Sequence, residues 1–152
     1  MARVVNQICI NGPIGRVFDL VTTARYWPHW HPATISVSGV TDRPIRLGDV
    51  IRERAQIGGQ VYEGDWTVTE HERPSRVLLR GEGGRIQIGY GFEPEGQTTT
   101  FRRELEFEPE DFRGSVADPA ALAELMYHQS EAALQKLKQL VEELLATGDG
   151  TG

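Results

Sequence analysis

The sequence predicts an α+β domain. A curved antiparallel sheet of about seven strands packs around one long C-terminal helix, and two short helices follow the first strand. Three observations predict this class. From Thr34 to Glu108 short alternating runs are separated by Gly-Gly, Pro-Ser and Glu-Gly pairs, which is the pattern of consecutive antiparallel hairpins. From Asp118 the apolar period lengthens to that of an amphipathic helix. The composition agrees: 17 glycines and 8 prolines in 152 residues suit a strand-and-turn chain, and 39% hydrophobic residues suit a packed core.

The first strand runs from Val4 to Ile10, rich in Val and Ile. Asn11-Gly12-Pro13 then turns the chain, with Asn11 as the expected helix cap and Pro13 in the first turn. Ile14, Val17, Phe18 and Val21 recur at helical spacing and form the first short helix. Pro28 and Pro32 keep the next helix short, ending it near Trp30.

Strands are expected at Thr34–Gly39, Asp49–Ile57, Val61–Glu70, Arg76–Arg80, Arg85–Phe92 and Thr98–Glu108. Gly58-Gly59, Pro74-Ser75, Gly83-Gly84 and Glu95-Gly96 turn the chain between the last five. Asp118 and Pro119 open the long helix as cap and first residue. Its apolar stripe is read as Leu122, Leu125, Met126, Gln129, Ala133, Leu137, Leu140, Val141 and Leu144. From Pro119 to Ala146 it spans about 42 Å at 1.5 Å per residue, long enough to lie across a curved sheet. Residues 1–146 are expected to form one domain, and 147–152 a disordered tail.

Several functional classes are disfavoured. A net charge of −6 argues against a nucleic-acid or anionic-membrane partner, because phosphate binding needs a basic face. A single cysteine, Cys9, builds neither a disulfide framework nor a cysteine-rich zinc site. No apolar run is long enough for membrane insertion, and the N-terminus lacks a signal-peptide core, so a cytoplasmic protein is expected. Gly81-Glu82-Gly83-Gly84 lacks the Lys and helix of a phosphate loop. No nucleophile-elbow or His-Glu-x-x-His motif occurs. His29 and His31 need a third ligand to hold a metal, so no metal and no cofactor are expected.

A single curved sheet must bury its apolar face against the long helix, and the helix cannot fill the whole concavity. A cavity is therefore expected between them, the kind of place where small ligands bind. At this point local motifs agree with a known group. Ile10-Asn11-Gly12-Pro13-Ile14-Gly15-Arg16-Val17-Phe18 and Tyr26-Trp27-Pro28-His29-Trp30 resemble the first strand, turn and helices of the START and Bet v 1-like (SRPBCC) superfamily. The nearest resemblance is to its polyketide cyclase/dehydrase and lipid-transport group, across roughly positions 3 to 146. The resemblance implies the helix-grip fold and a hydrophobic ligand. It leaves the role open among carriers, cyclases and interaction modules.

Strand phase brings Tyr62, Trp66, Tyr90, Phe92 and Phe101 to the helix side, as core or as cavity lining. Trp27, Trp30, Met126, Tyr127 and Gln129 complete the expected ligand-contacting set. Arg103 falls on the inward phase between Phe101 and Leu105, and Glu53 shares a phase with Ile51, Ala55 and Ile57. An Arg103–Glu53 pair across the cavity would orient a polar ligand or set an acid or base. His31 is a further acid or base candidate at the cavity mouth. The leading expectation is binding of a hydrophobic, aromatic or polyketide-like small molecule by a monomer or weak homodimer. The alternatives are a cyclase, aromatase or dehydratase using these three residues, and a co-chaperone-like module displaying an apolar patch.

Overall fold

A computed structural model describes residues 1–112 and 118–147. Positions 148–152 of the expected tail lie outside the described residues. Among the described residues seven strands form one antiparallel sheet: β1 (Ala2–Asn11), β2 (Thr34–Gly39), β3 (Val50–Ile57), β4 (Gln60–Glu72), β5 (Arg76–Gly81), β6 (Gln87–Glu95) and β7 (Thr98–Phe107). Their order is β1-β7-β6-β5-β4-β3-β2, so only β1 leaves the hairpin sequence, crossing to pair with the last strand. Helix α1 (Ile14–Val21), a 3-10 turn at Ala24–Tyr26 and helix α2 (Trp27–Trp30) lie between β1 and β2. Helix α3 (Pro119–Ala146) closes the chain. This is the α+β class that the alternation and the long amphipathic stripe predict, in the helix-grip arrangement that the resemblance implies.

The hairpins turn where glycine was expected. Gly58, between β3 and β4, has φ of 59°, and Gly96, between β6 and β7, has φ of 61°; side-chain-bearing residues seldom take such angles. Asp118 caps α3, its carboxylate accepting the Ala120 N–H at 3.1 Å, with Pro119 as first helical residue.

The start of α1 differs from expectation. Asn11 is not its cap: the chain stays extended through Asn11, which pairs with Thr98, and the cap position falls on Pro13 without a side-chain hydrogen bond. The Asn11 N–H goes instead to Glu142 on α3 at 2.9 Å. Gly12 makes the close approach workable, because a Cβ there would stand 2.5 Å from Leu145 Cδ1.

The stripe of α3 is Leu122, Met126, Ser130, Ala133, Leu134, Leu137 and Val141, all buried. Ser130 and Leu134 replace Leu125, Gln129, Leu140 and Leu144, which are only half-buried. The buried set follows steps of three and four, the helical period that keeps one face on the sheet. No helix among the described residues is long and apolar enough to cross a membrane.

Candidate functional site

The inner face of the sheet has two ends. Towards α1 it is filled: Phe18 packs on Phe92 and Phe92 on Phe101, each at 5.0 Å between ring centroids. Towards α2 and the first half of α3 a cavity of about 70 Å³ remains. Its apolar wall includes Trp30, Leu79, Ile88, Leu105 and Met126, and its polar wall His31, Thr34, Glu53, Tyr90, Arg103 and Gln129. Beyond it lies an outer chamber of about 390 Å³, whose apolar wall includes Tyr62, Trp66, Ile86 and Phe112 and whose border carries the charged Glu63, Asp65, Glu82, Arg85 and Asp111. The two share Glu53, Ala55, Ile57, Trp66 and Ile86, so they are successive parts of one cleft. At its rim Arg85 pairs with Glu110 and with Asp111, the latter at 3.2 Å.

Small residues open this end. Glu53 stands opposite Gly64 in the β3–β4 register, and a Cβ at Gly64 would meet nothing within 4 Å. Ala55 takes the next inward place and stands opposite Tyr62, whose ring meets Phe112 edge-on at 5.0 Å.

The three tryptophans show how polar tips are settled here. Trp27 Nε1 donates to the Val21 carbonyl at 3.2 Å, and Trp66 Nε1 donates to Glu53 Oε1 at 3.0 Å. Trp30 Nε1, on a side chain 1% exposed, has no hydrogen-bond partner among the described residues.

Arg103 and Glu53 do not form the expected ion pair. Glu53 accepts from Trp66 and, through Oε2, from the Thr34 hydroxyl at 2.5 Å. Arg103 is 5% exposed, and its Nη1 donates to the Ser130 hydroxyl at 3.1 Å, while Nε has no partner. The physical reason is distance: β3 and β7 are separated by β4, β5 and β6. Tyr90, the neighbour of Arg103 across β6, has its hydroxyl pushed up to about 12 by burial, with the Arg103 charge opposing, so it stays neutral at ordinary pH.

His31 follows α2 and faces the cavity. Its Nδ1 accepts the Ala33 N–H at 3.2 Å, which leaves the proton on Nε2. Burial, reinforced by the Arg103 charge, holds the imidazole neutral well below its ordinary range. His31 is therefore a neutral donor beside the cavity.

Of the remaining expected residues, Trp27, Trp30, Trp66, Tyr90, Met126 and Gln129 border the inner cavity, and Tyr62 and Trp66 the outer chamber. Phe92 and Phe101 point inward as expected but belong to the filled end and do not border the cavity. Tyr127 is 41% exposed and lies off the cleft, because the stripe turns through Met126 and Ser130. Thr34, on the polar wall, and Ser130, which supports Arg103, stand outside the expected set. A strict three-four count from Met126 reaches Ser130; Thr34 carries no signal beyond its place on β2. Among the described residues no group of three or more His, Cys, Asp or Glu side chains could hold a metal ion.

The family model described as polyketide cyclase / dehydrase and lipid transport matches residues 1–142. No curated protein matches the chain in sequence. Solved structures share its fold, among them the three that follow. The Zhui aromatase/cyclase from Streptomyces sp. R1128 is 14% identical over 95% of both chains, with a TM-score of 0.72. A START superfamily protein from Mycobacterium smegmatis is 18% identical over 93% of this chain and 98% of its own, also at 0.72. Ginseng major latex-like protein 151 from Panax ginseng is 13% identical over 91% and 95%, at 0.64. At such identities the likeness is one of fold.

Proposed function

The chain belongs to the polyketide cyclase/dehydrase and lipid-transport family, and on that premise we propose that it binds a hydrophobic, aromatic or polyketide-like small molecule in the cleft between the sheet and α3. The observation that carries this reading is the two-part cleft. An outer chamber of about 390 Å³ falls within the size range of small-ligand pockets, roughly 300–1,000 Å³. Its Tyr62, Trp66 and Phe112 rings offer flat apolar faces to a planar ligand. Polar groups converge at the inner end, where they fix orientation.

A second reading, cyclase or dehydratase chemistry, is supported by His31, held neutral beside a buried arginine and a tyrosine hydroxyl. These are groups able to move or hold protons on a bound carbonyl compound.

Native mass spectrometry of freshly purified protein tests the binding reading. A co-purifying small molecule of about 1:1 stoichiometry is expected. In its absence, titration with an apolar fluorescent probe should quench tryptophan emission saturably. A folded protein that shows neither result overturns the reading.

A further inference from the structure

In the inner cavity the charge of Arg103 has no ion-pair partner among the described residues, and the one carboxylate on the wall, Glu53, bonds the neutral donors Trp66 and Thr34 instead. Arg103 is 5% exposed, and no carboxylate stands within 4.0 Å of it among the described residues. A buried lysine or histidine can shed its proton, but an arginine cannot, and burying an uncompensated ion is costly. Ser130 and the Tyr90 hydroxyl offer the guanidinium only neutral oxygens, and Nε is left without a partner among the described residues. Asn6, opposite Arg103 in the β1–β7 register, offers a neutral Oδ1 that is also without a partner, but no charge. The carboxylate on the cavity wall, Glu53, already holds two donors.

The neighbouring groups point the same way. Trp30 Nε1 is a second buried donor without an acceptor, and Trp30 borders the same cavity as Arg103. Size agrees as well. About 70 Å³ is a little over twice the share of liquid volume of one water, which suits a head group and not a whole ligand. The body of the ligand then belongs in the outer chamber.

Resting on the binding reading above, we propose that the ligand carries a carboxylate or a chemically equivalent oxyanion, seated in the inner cavity against Arg103, with its apolar body towards Tyr62 and Phe112. The oxyanion supplies the missing acceptor for Nε and the missing counter-charge. Charge-assisted hydrogen bonds of this kind are about twice as strong as neutral ones.

The test uses 2-naphthoate and 2-naphthamide, which share a ring system and nearly a shape but differ in charge. Isothermal titration of the wild-type protein should show naphthoate binding at least about tenfold tighter, the scale of a charged hydrogen bond worth about 1.5 kcal/mol. In Arg103→Met that ratio should fall towards one. Arg103→Lys, which keeps the charge, should retain part of the preference. If Arg103→Met does not fold, the wild-type comparison decides alone, supported by the Arg103 Nε–H resonance, which should shift with naphthoate and not with naphthamide. Equal affinity for both probes, or preference for the amide, overturns the head-group proposal while leaving a binding cleft. Binding of neither probe to folded protein removes the binding reading itself.

Discussion

The two ends of the inner sheet face are built on the same strands and covered by the same helix, yet one is solid and the other hollow. At the solid end Phe18, Phe92 and Phe101 interlock, and Leu145 closes over Gly12. Lys138 donates to the Cys9 carbonyl at 2.8 Å and Glu142 receives the Asn11 N–H, so the last turns of α3 are tied to β1. At the hollow end the inward places carry Ala55 and Gly64, too small to fill the concavity, with Glu53 and Arg103 nearby. The grip of helix on sheet supplies the space at both ends. Side-chain volume decides where it stays open, and the placement of charges decides what could enter.

This contrast can be broken or sharpened in four ways. The largest effect is expected at the solid end. Phe101→Ala should destabilise the protein by about 3–5 kcal/mol, measured by urea unfolding. Leu137→Ala, on the fully buried stripe, should cost about 2–5 kcal/mol, and a cost below about 0.5 kcal/mol would mean that this face of α3 is not core.

The third effect comes from the hollow end and from pH. The folded state keeps His31 neutral well below its ordinary range, whereas the unfolded chain takes up a proton near pH 6.5. The unfolded state therefore binds more protons as pH falls through that value. The stability from neutral His31 is complete above it and declines below it, by up to about 1.4 kcal/mol per pH unit, until the folded-state histidine itself titrates. His31→Gln should flatten the slope of unfolding free energy between roughly pH 5 and 6.5; an unchanged slope would show that the imidazole is not held neutral.

The smallest stability effect is expected where the cleft is open. Ala55→Leu adds volume to unfilled space and should change stability by less than about 1 kcal/mol, in contrast to overpacking a closed core. The same substitution should weaken binding of 2-naphthamide, because Ala55 borders both chambers. A large loss of stability without an effect on binding would reverse the assignment of the two ends.

Much of the fold was legible because its signals are local. Period-two alternation put Tyr90, Phe92, Phe101 and Arg103 on the inward face, and Asp118-Pro119 marked the start of α3. The cap of α1 was misread because the choice between Asn11 as cap and Asn11 as strand depends on Thr98 and Glu142, both far along the chain. The pairing of Arg103 with Glu53 was misread for a similar reason. Phase says which face a residue takes, but not how many strands lie between two residues sharing it. Four strand spacings of about 4.8 Å amount to about 19 Å along a flat sheet, and curvature here does not bring the two within 4.0 Å. Which aromatic side chains border space and which fill it is not legible either, since that turns on the volumes of neighbours such as Ala55 and Gly64.

Strand β1 has a consequence for the order of assembly. Ala2 lies opposite Phe107, and Asn11 opposite Thr98, so the first strand finds its partner only in the last. Five hairpins can zip locally from β2 to β7, each closing a short loop, but β1 must close one of about a hundred residues. As the chain leaves the ribosome, β1 emerges first and has no edge to join until β7 is out. It then waits for α3, whose Lys138 and Glu142 fasten it at Cys9 and Asn11. The solid end is thus the last part to become whole. A chain truncated before α3 should keep a partly formed hairpin array with β1 loosely held, which amide exchange on Val4 and Ile10 would register as loss of protection.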